Sequence, residues 1–196
     1  MGSKIELSIQ NLTINFAPVG ASAGEPRQGQ AAVFASHLGC APLPGELWQG
    51  QGGRNAGLII PSDGSRPYYV IAAEHPDGQI AEIAWGGYGK DEPGARSHWD
   101  GMANTIALVE SEHDHPAAEW AKGLTLDGHS DFYLPARREL ALVEICMADR
   151  FPKGWHLTST QYSPLSAYGQ TFGDGYTITI FKDYEVRALA VRRLFI

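Results

Sequence analysis

Along the chain the spacing of apolar residues changes twice, from every second residue to every third or fourth and back again. Alternation marks a strand with one buried face, and the longer spacing marks an amphipathic helix. Strands on both sides of a run of helices predict an α+β fold. The first strands fall at 57–60, 68–73 and 80–85, separated by Ser62-Asp63-Gly64 and Pro76-Asp77-Gly78. Asp-Gly is a turn signal, so the simplest expectation is an antiparallel meander. Residues 100–112 then place Met102, Ile106 and Val109 on one helical face, with Asp100 able to cap the first turn. A shorter helix is expected to begin near Pro116. A third follows Leu134-Pro135, with Leu140, Val143 and Met147 in register, Ala136 one turn before, and Pro152 and Gly154 as its stop. Residues 155–160, 176–181 and 184–191 return to strand, the last two joined by a hairpin at Lys182-Asp183.

Upstream, Ile5, Leu7 and Ile9 alternate in one phase and Leu12, Ile14 and Phe16 in the other. The flip at Gln10-Asn11 predicts a bulge or tight turn. Residues 17–30, rich in Gly, Ala, Pro and Ser, read as a loop, and residues 31–39 are ambiguous between helix and strand. The expected organisation is an N-terminal β arm with its loop over 1–30 and a single domain over 31–196. Gly45, Gly50, Gly52, Gly53 and Gly57 crowd around Trp48. They lack the helix-opening context of a phosphate loop, which leaves turn chemistry and close backbone packing as their use.

The charge balance of 22 acidic against 15 basic residues, net -7, argues against nucleic acid as a partner. No apolar stretch reaches the ~18 residues of a membrane span, so membrane insertion is not expected. The first residues, Met1-Gly2-Ser3-Lys4, have no apolar signal core, so synthesis in the cytoplasm without a signal peptide is the expectation. Cys40 and Cys146 cannot form a disulfide framework.

Constellations that might carry catalysis are incomplete. In His113-Asp114-His115 two imidazoles would share a face only on a strand, and Pro116 behind them points to a helix cap instead. His129, Ser130 and Asp131 are adjacent, whereas the members of a triad converge from different elements. Cys146 lies beside the apolar face of its helix and is expected to pack as a small hydrophobe. Glu92-Pro93-Gly94 and Trp99-Asp100-Gly101 faintly resemble calcium-lectin elements but lack their Asn oxygens. Neither a metal nor another cofactor is expected, nor an enzyme. The segment 161–176, which mixes Tyr, Phe, Ser, Gln and Gly, has instead the chemistry of a recognition loop, or of a hairpin whose rings pack inward.

Three stretches are similar to a known family. Asp131-Phe132-Tyr133-Leu134-Pro135-Ala136-Arg137-Arg138-Glu139-Leu140 resembles the "W/YrLPtr-EL" signature of the DUF1566 family, also called the Lcl C-terminal domain family. Leu157-Thr158-Ser159-Thr160-Gln161 resembles its "yWtSTe" strand, with Leu157 in place of the aromatic and Trp155 two residues earlier. Val186-Arg187 through Val191-Arg192-Arg193 resembles its closing "VRpVR". The resemblance covers residues 128–193 and implies a C-type-lectin-like fold, with small twisted antiparallel sheets packed on two or three helices. It gives Leu134-Pro135 and Arg187 structural roles. It places ligand-binding side chains after the "WtST" strand, at Tyr162, Ser163, Ser166, Tyr168 and Gln170, and Phe172 extends the set.

The function expected from this reading is a non-enzymatic recognition module, phage- or prophage-encoded, that binds a bacterial surface glycan or protein. It would act as a receptor-binding or tail-associated protein, virion-associated in that case, and as a homo-oligomer, a trimer among the options. The alternatives are an intracellular phage effector that binds a host protein, and a metal-dependent oxidase-like enzyme by analogy of fold.

Overall fold

The computed structural model describes residues 41–62 and 64–196. The expected N-terminal arm, the loop at 17–30, the segment 31–39 and Cys40 lie outside the described residues. Two sheets are built from nine described strands. β1 (Leu47–Trp48), β2 (Gly53–Ile59), β3 (Tyr68–Ala73) and β9 (Val191–Phe195) form a four-stranded sheet in that order. β4 (Gln79–Ile83), β5 (Gly154–Ser163), β6 (Ser166–Phe172), β7 (Thr177–Phe181) and β8 (Val186–Leu189) form a second, ordered β4-β8-β5-β6-β7. Neighbours are antiparallel except β5 and β8, which run parallel at His156 and Arg187. With helices α1 (Gly101–Val109), α2 (Pro116–Gly123) and α3 (Arg137–Met147), the architecture is α+β.

Four sequence expectations are corrected. The meander stops after β3, because β4 joins the other sheet. The single strand expected at 184–191 is two, and Ala190 is the corner at which the chain changes sheets. Its carbonyl accepts from Ala73 N and its N–H donates to Gly78 O, so both sheets claim it. Lys182-Asp183 therefore joins no hairpin: β7 pairs with β6, while β8 lies between β4 and β5. Finally, α1 does not bury the stripe Met102, Ile106 and Val109. Ile106 and Val109 are exposed, and Gly101, Asn104, Thr105 and Leu108 face inward. The polar residues on that inner face are satisfied: Thr105 Oγ1 donates to Leu134 O, and Asn104 Nδ2 to Ser97 O. A hydrophobicity count cannot foresee such partners.

The cap of α1, the buried face of α3 and the glycine cluster agree with the sequence reading. The Asp100 side chain accepts from Ala103 N at the start of α1. Leu140, Val143 and Met147 of α3 are buried in one core, with Tyr68, Val70, Phe172 and Val191 of the sheets and Tyr133 and Phe151 of the connecting segments around them. A second core gathers Trp85, Leu108, Phe132, Leu157 and Ile180 with the alanines of α2. In the glycine cluster, Gly45, Gly50, Gly52 and Gly57 have positive φ, and Gly53 lies where a side chain would strike the Ala72 carbonyl. Turn chemistry and close packing account for all five. No helix among the described residues is long and apolar enough to cross a membrane.

Candidate functional site

The segment 161–176 is a β-hairpin and its following turn rather than an open loop. β5 runs on to Ser163, β6 starts at Ser166, and Pro164-Leu165 make the tip. Ser163 Oγ accepts from the N–H groups of Leu165 and Ser166 and lies 2.9 Å from Ser166 Oγ, which closes the turn. The tip is also held from outside, since Pro164 O accepts from Gly89 N and Leu165 O from Lys182 N.

Ser166, Tyr168, Gln170 and Phe172 alternate along β6 and so share one face. They differ in access. Tyr162 is 59% exposed, Ser163 and Tyr168 are half-buried, and Ser166, Gln170 and Phe172 are buried. Phe172 stacks on His156 with ring centroids 4.1 Å apart and meets Phe151 edge-on, while Gln170 Oε1 accepts from Thr177 Oγ1. Of the six expected residues, Tyr162, Ser163 and Tyr168 reach the surface, and the other three support the face from within.

The rings of Tyr162 and Tyr168 meet edge-to-face at 5.2 Å. The Arg137 guanidinium lies 4.8 Å from the Tyr168 ring centre, and the His98 ring packs on the same ring at 5.2 Å. Arg137 Nη1 lies 3.3 Å from His98 Nδ1 and donates to it. Burial, together with Arg137 and Arg138 nearby, holds the His98 pKa below the ordinary value, which suits a neutral acceptor. The strip continues to Trp99, about half exposed, with the Arg138 guanidinium 5.0 Å from its ring centre. Nothing in the sequence singles out His98, and Trp99 stands out there only within Trp99-Asp100-Gly101. Arg137 and Arg138 stood inside the quoted signature without a binding role.

Backbone and hydroxyl bonds fix this strip. Thr158 Oγ1 donates to Tyr168 O, and Thr160 Oγ1 donates to Ser97 O while accepting from Arg137 N. Ser159 N donates to Pro135 O. Arg192 makes a two-pronged pair with Asp131 at 2.8 and 3.0 Å, and Arg193 pairs with Glu139 at 3.0 Å. The three stretches quoted for the family resemblance are thus bonded to one another.

A second polar constellation lies behind the hairpin. Glu92 Oε1 accepts from Ser111 Oγ and sits 2.9 Å from His113 Nδ1. His115 Nδ1 donates to Trp85 O. Its Nε2 lies 3.2 Å from Glu92 Oε1 but off hydrogen-bond alignment, the only buried side-chain N or O among the described residues without a bond. Burial raises the Glu92 pKa, but the His113 and Ser111 groups bonded to it and the His115 ring close by outweigh that and leave the carboxyl below its ordinary range. Lys182 is fully buried: Nζ donates to Lys90 O and Gln161 Oε1 and lies 4.3 Å from the Trp85 ring centre, with its pKa lowered by burial to about 8. These bonds pin the stretch between Gly86 and His98 to β5 and to the end of β7. Among the described residues no group of three or more His, Cys, Asp or Glu is arranged to hold a metal ion.

The other sequence candidates separate. His129 Nε2 donates to Gly50 O and Asp131 is held by Arg192, so no triad forms with Ser130. Cys146 is half-buried, and burial raises its thiol pKa, which disfavours the reactive thiolate. A groove of about 440 Å³ beside Trp48 has two carboxylates on its wall, both engaged: Glu74 by Arg54 and Asp127 by the Gly52 N–H. The tyrosine strip remains as the exposed, pre-arranged surface with ring, cation and hydroxyl together. In comparisons with known proteins, no family model and no curated protein matches this chain.

Proposed function

We propose that this chain is a non-enzymatic recognition module of C-type-lectin-like fold, phage- or prophage-encoded, that binds a bacterial surface ligand as a receptor-binding or tail-associated protein. The observation that carries the reading is the Tyr162–Tyr168 pair, Tyr162 exposed and Tyr168 half-buried, braced by Arg137, His98 and two threonine hydroxyls. Rings supply contact area with few rotatable bonds, and bracing them beforehand lowers the ordering cost of association. The face was suggested by the resemblance of residues 131–140, 157–161 and 186–193 to DUF1566, and Arg137, Thr160 and Tyr168 of this face lie in or directly beside those stretches.

Isolated envelopes and cleared cytosol from candidate host bacteria, each passed over the immobilised full chain, test the proposal. Retention of envelope material is expected. Retention of a cytosolic protein alone would replace the proposal with an intracellular effector.

A further inference from the structure

The two described sheets have four edges, β1, β9, β4 and β7. Unpaired edges invite another strand, and proteins blunt them with brevity, charge, bulges or cover. Three of the four are blunted. β1 has two residues. β9 carries Arg192 and Arg193, and Tyr133 covers its first residue through bonds in both directions with Val191. β4 carries Glu82, and its register with β8 shifts between Ile80 and Ile83.

Among the described residues β7 has none of these devices. It reads Thr-Ile-Thr-Ile-Phe, has no charge or proline, and pairs with β6 without interruption from Gln170–Thr177 to Ser166–Phe181. The bonds that flank the pairing, Thr171 N to Tyr176 O and Lys182 N to Leu165 O, fix which backbone groups face β6. By the alternation of an antiparallel ladder these are the groups of Ile178 and Ile180. The N–H and C=O of Thr177 and Thr179 and the N–H of Phe181 therefore face outward, while Phe181 O is taken by Tyr184 N. Tyr176, Phe181 and Tyr184 are exposed alongside, at 69%, 48% and 52%.

We infer that β7 pairs with β7 of a second copy of this chain, antiparallel about a two-fold axis at Thr179. This register suits both the outward groups and the side chains. The two Thr179 residues form a hydrogen-bonded pair, and each Phe181 N–H meets the facing Thr177 carbonyl. Ile178 comes opposite Ile180 on the side of the sheet that carries the core, where Ile180 is buried and Ile178 packs beside it. Thr177 comes opposite Phe181 on the other side. No carboxylate faces another: Asp174 meets Tyr184, and Asp183 meets Gly175. A strand that satisfies itself in this way makes an isologous, closed contact. Because Thr179 is the cross-strand neighbour of Tyr168, the dimer sets two tyrosine strips on the same side of one continuous sheet.

Analytical ultracentrifugation of the full chain tests this directly. The wild type is expected to show a concentration-dependent dimer. Thr179 is exposed, so Thr179→Lys and Thr179→Glu leave the fold intact, which far-UV circular dichroism and melting temperature verify. Each variant places like charges opposite each other only across the two-fold axis, and each alone is expected to be monomeric. Mixed, they are expected to form a one-to-one heterodimer. A wild type that is monomeric throughout the concentration range would overturn the inference. So would charge variants that still dimerise, or a mixture that does not.

Discussion

Glu139 shows how the chain keeps a charge inside. It is fully buried, and its carboxylate accepts from Tyr68 Oη, Tyr133 Oη, Arg193, Ala136 N and Gly101 N. Burial pushes its pKa up, as it does the phenols of Tyr68 and Tyr133 beside it, while the arginine pulls the other way. Removing one member of a buried pair strands the other, a cost of ~3–5 kcal/mol. Glu139→Gln is therefore expected to lose about 3 kcal/mol of unfolding free energy in urea titration, against about 1 kcal/mol for Tyr133→Phe, which removes one hydrogen bond. His156 gives a pH signature. Its pKa is lowered by burial to about 4, so between about pH 6.5 and 4 the unfolded chain holds a proton that the folded chain does not. Stability contributed by this residue is present above that window and is lost as pH falls through it. His156→Phe, which keeps the stack on Phe172, is expected to flatten this part of the stability–pH curve.

At the level of elements, the start of α1 is pressed against the start of α3. A Cβ on Gly101 would collide with Ala136 N, Leu134 O and the Glu139 carboxylate, mostly rigid backbone. Gly101→Ala is thus expected to destabilise by ~1–3 kcal/mol, the range for overpacking, as a lowered melting temperature would show. The glycine's purpose was illegible in the sequence, because its neighbours lie more than thirty residues away. The same limit explains what the sequence reading got right and what it missed. Period and capping located α1, α2 and α3, since Asp100, Pro116 and Leu134-Pro135 act locally. They could not choose the buried face of α1, which is decided by partners outside the helix: Leu134 O, 29 residues beyond Thr105, and Ser97 O, in the loop before the helix. Nor could they see β8 and β9 part at Ala190, because an apolar run reads the same on either side of a corner. Of the candidate site, Tyr162 and Tyr168 were legible as aromatic residues in a polar setting. His98, held beside them by Arg137 Nη1 on its ring and Arg138 N on its carbonyl, was not.

Over the molecule as described, the sheet neighbours β5, β6 and β7 and the polar cluster of Glu92, Gln161 and Lys182 hold a short hairpin in place. The account's central claim is that the hairpin's tyrosine strip recognises a bacterial surface. The direct test is binding of the labelled full chain to intact cells from a panel of candidate hosts, beside the Tyr162→Ala/Tyr168→Ala double variant with its folding checked by circular dichroism. Truncating a ring anchor commonly costs ~2 kcal/mol, about 30-fold in affinity. The prediction is saturable binding by the wild type to at least one host and a loss of 30-fold or more in the folded double variant. Equal binding by the variant would remove the strip from the recognition surface, and no wild-type binding to any host would contradict the proposed function itself.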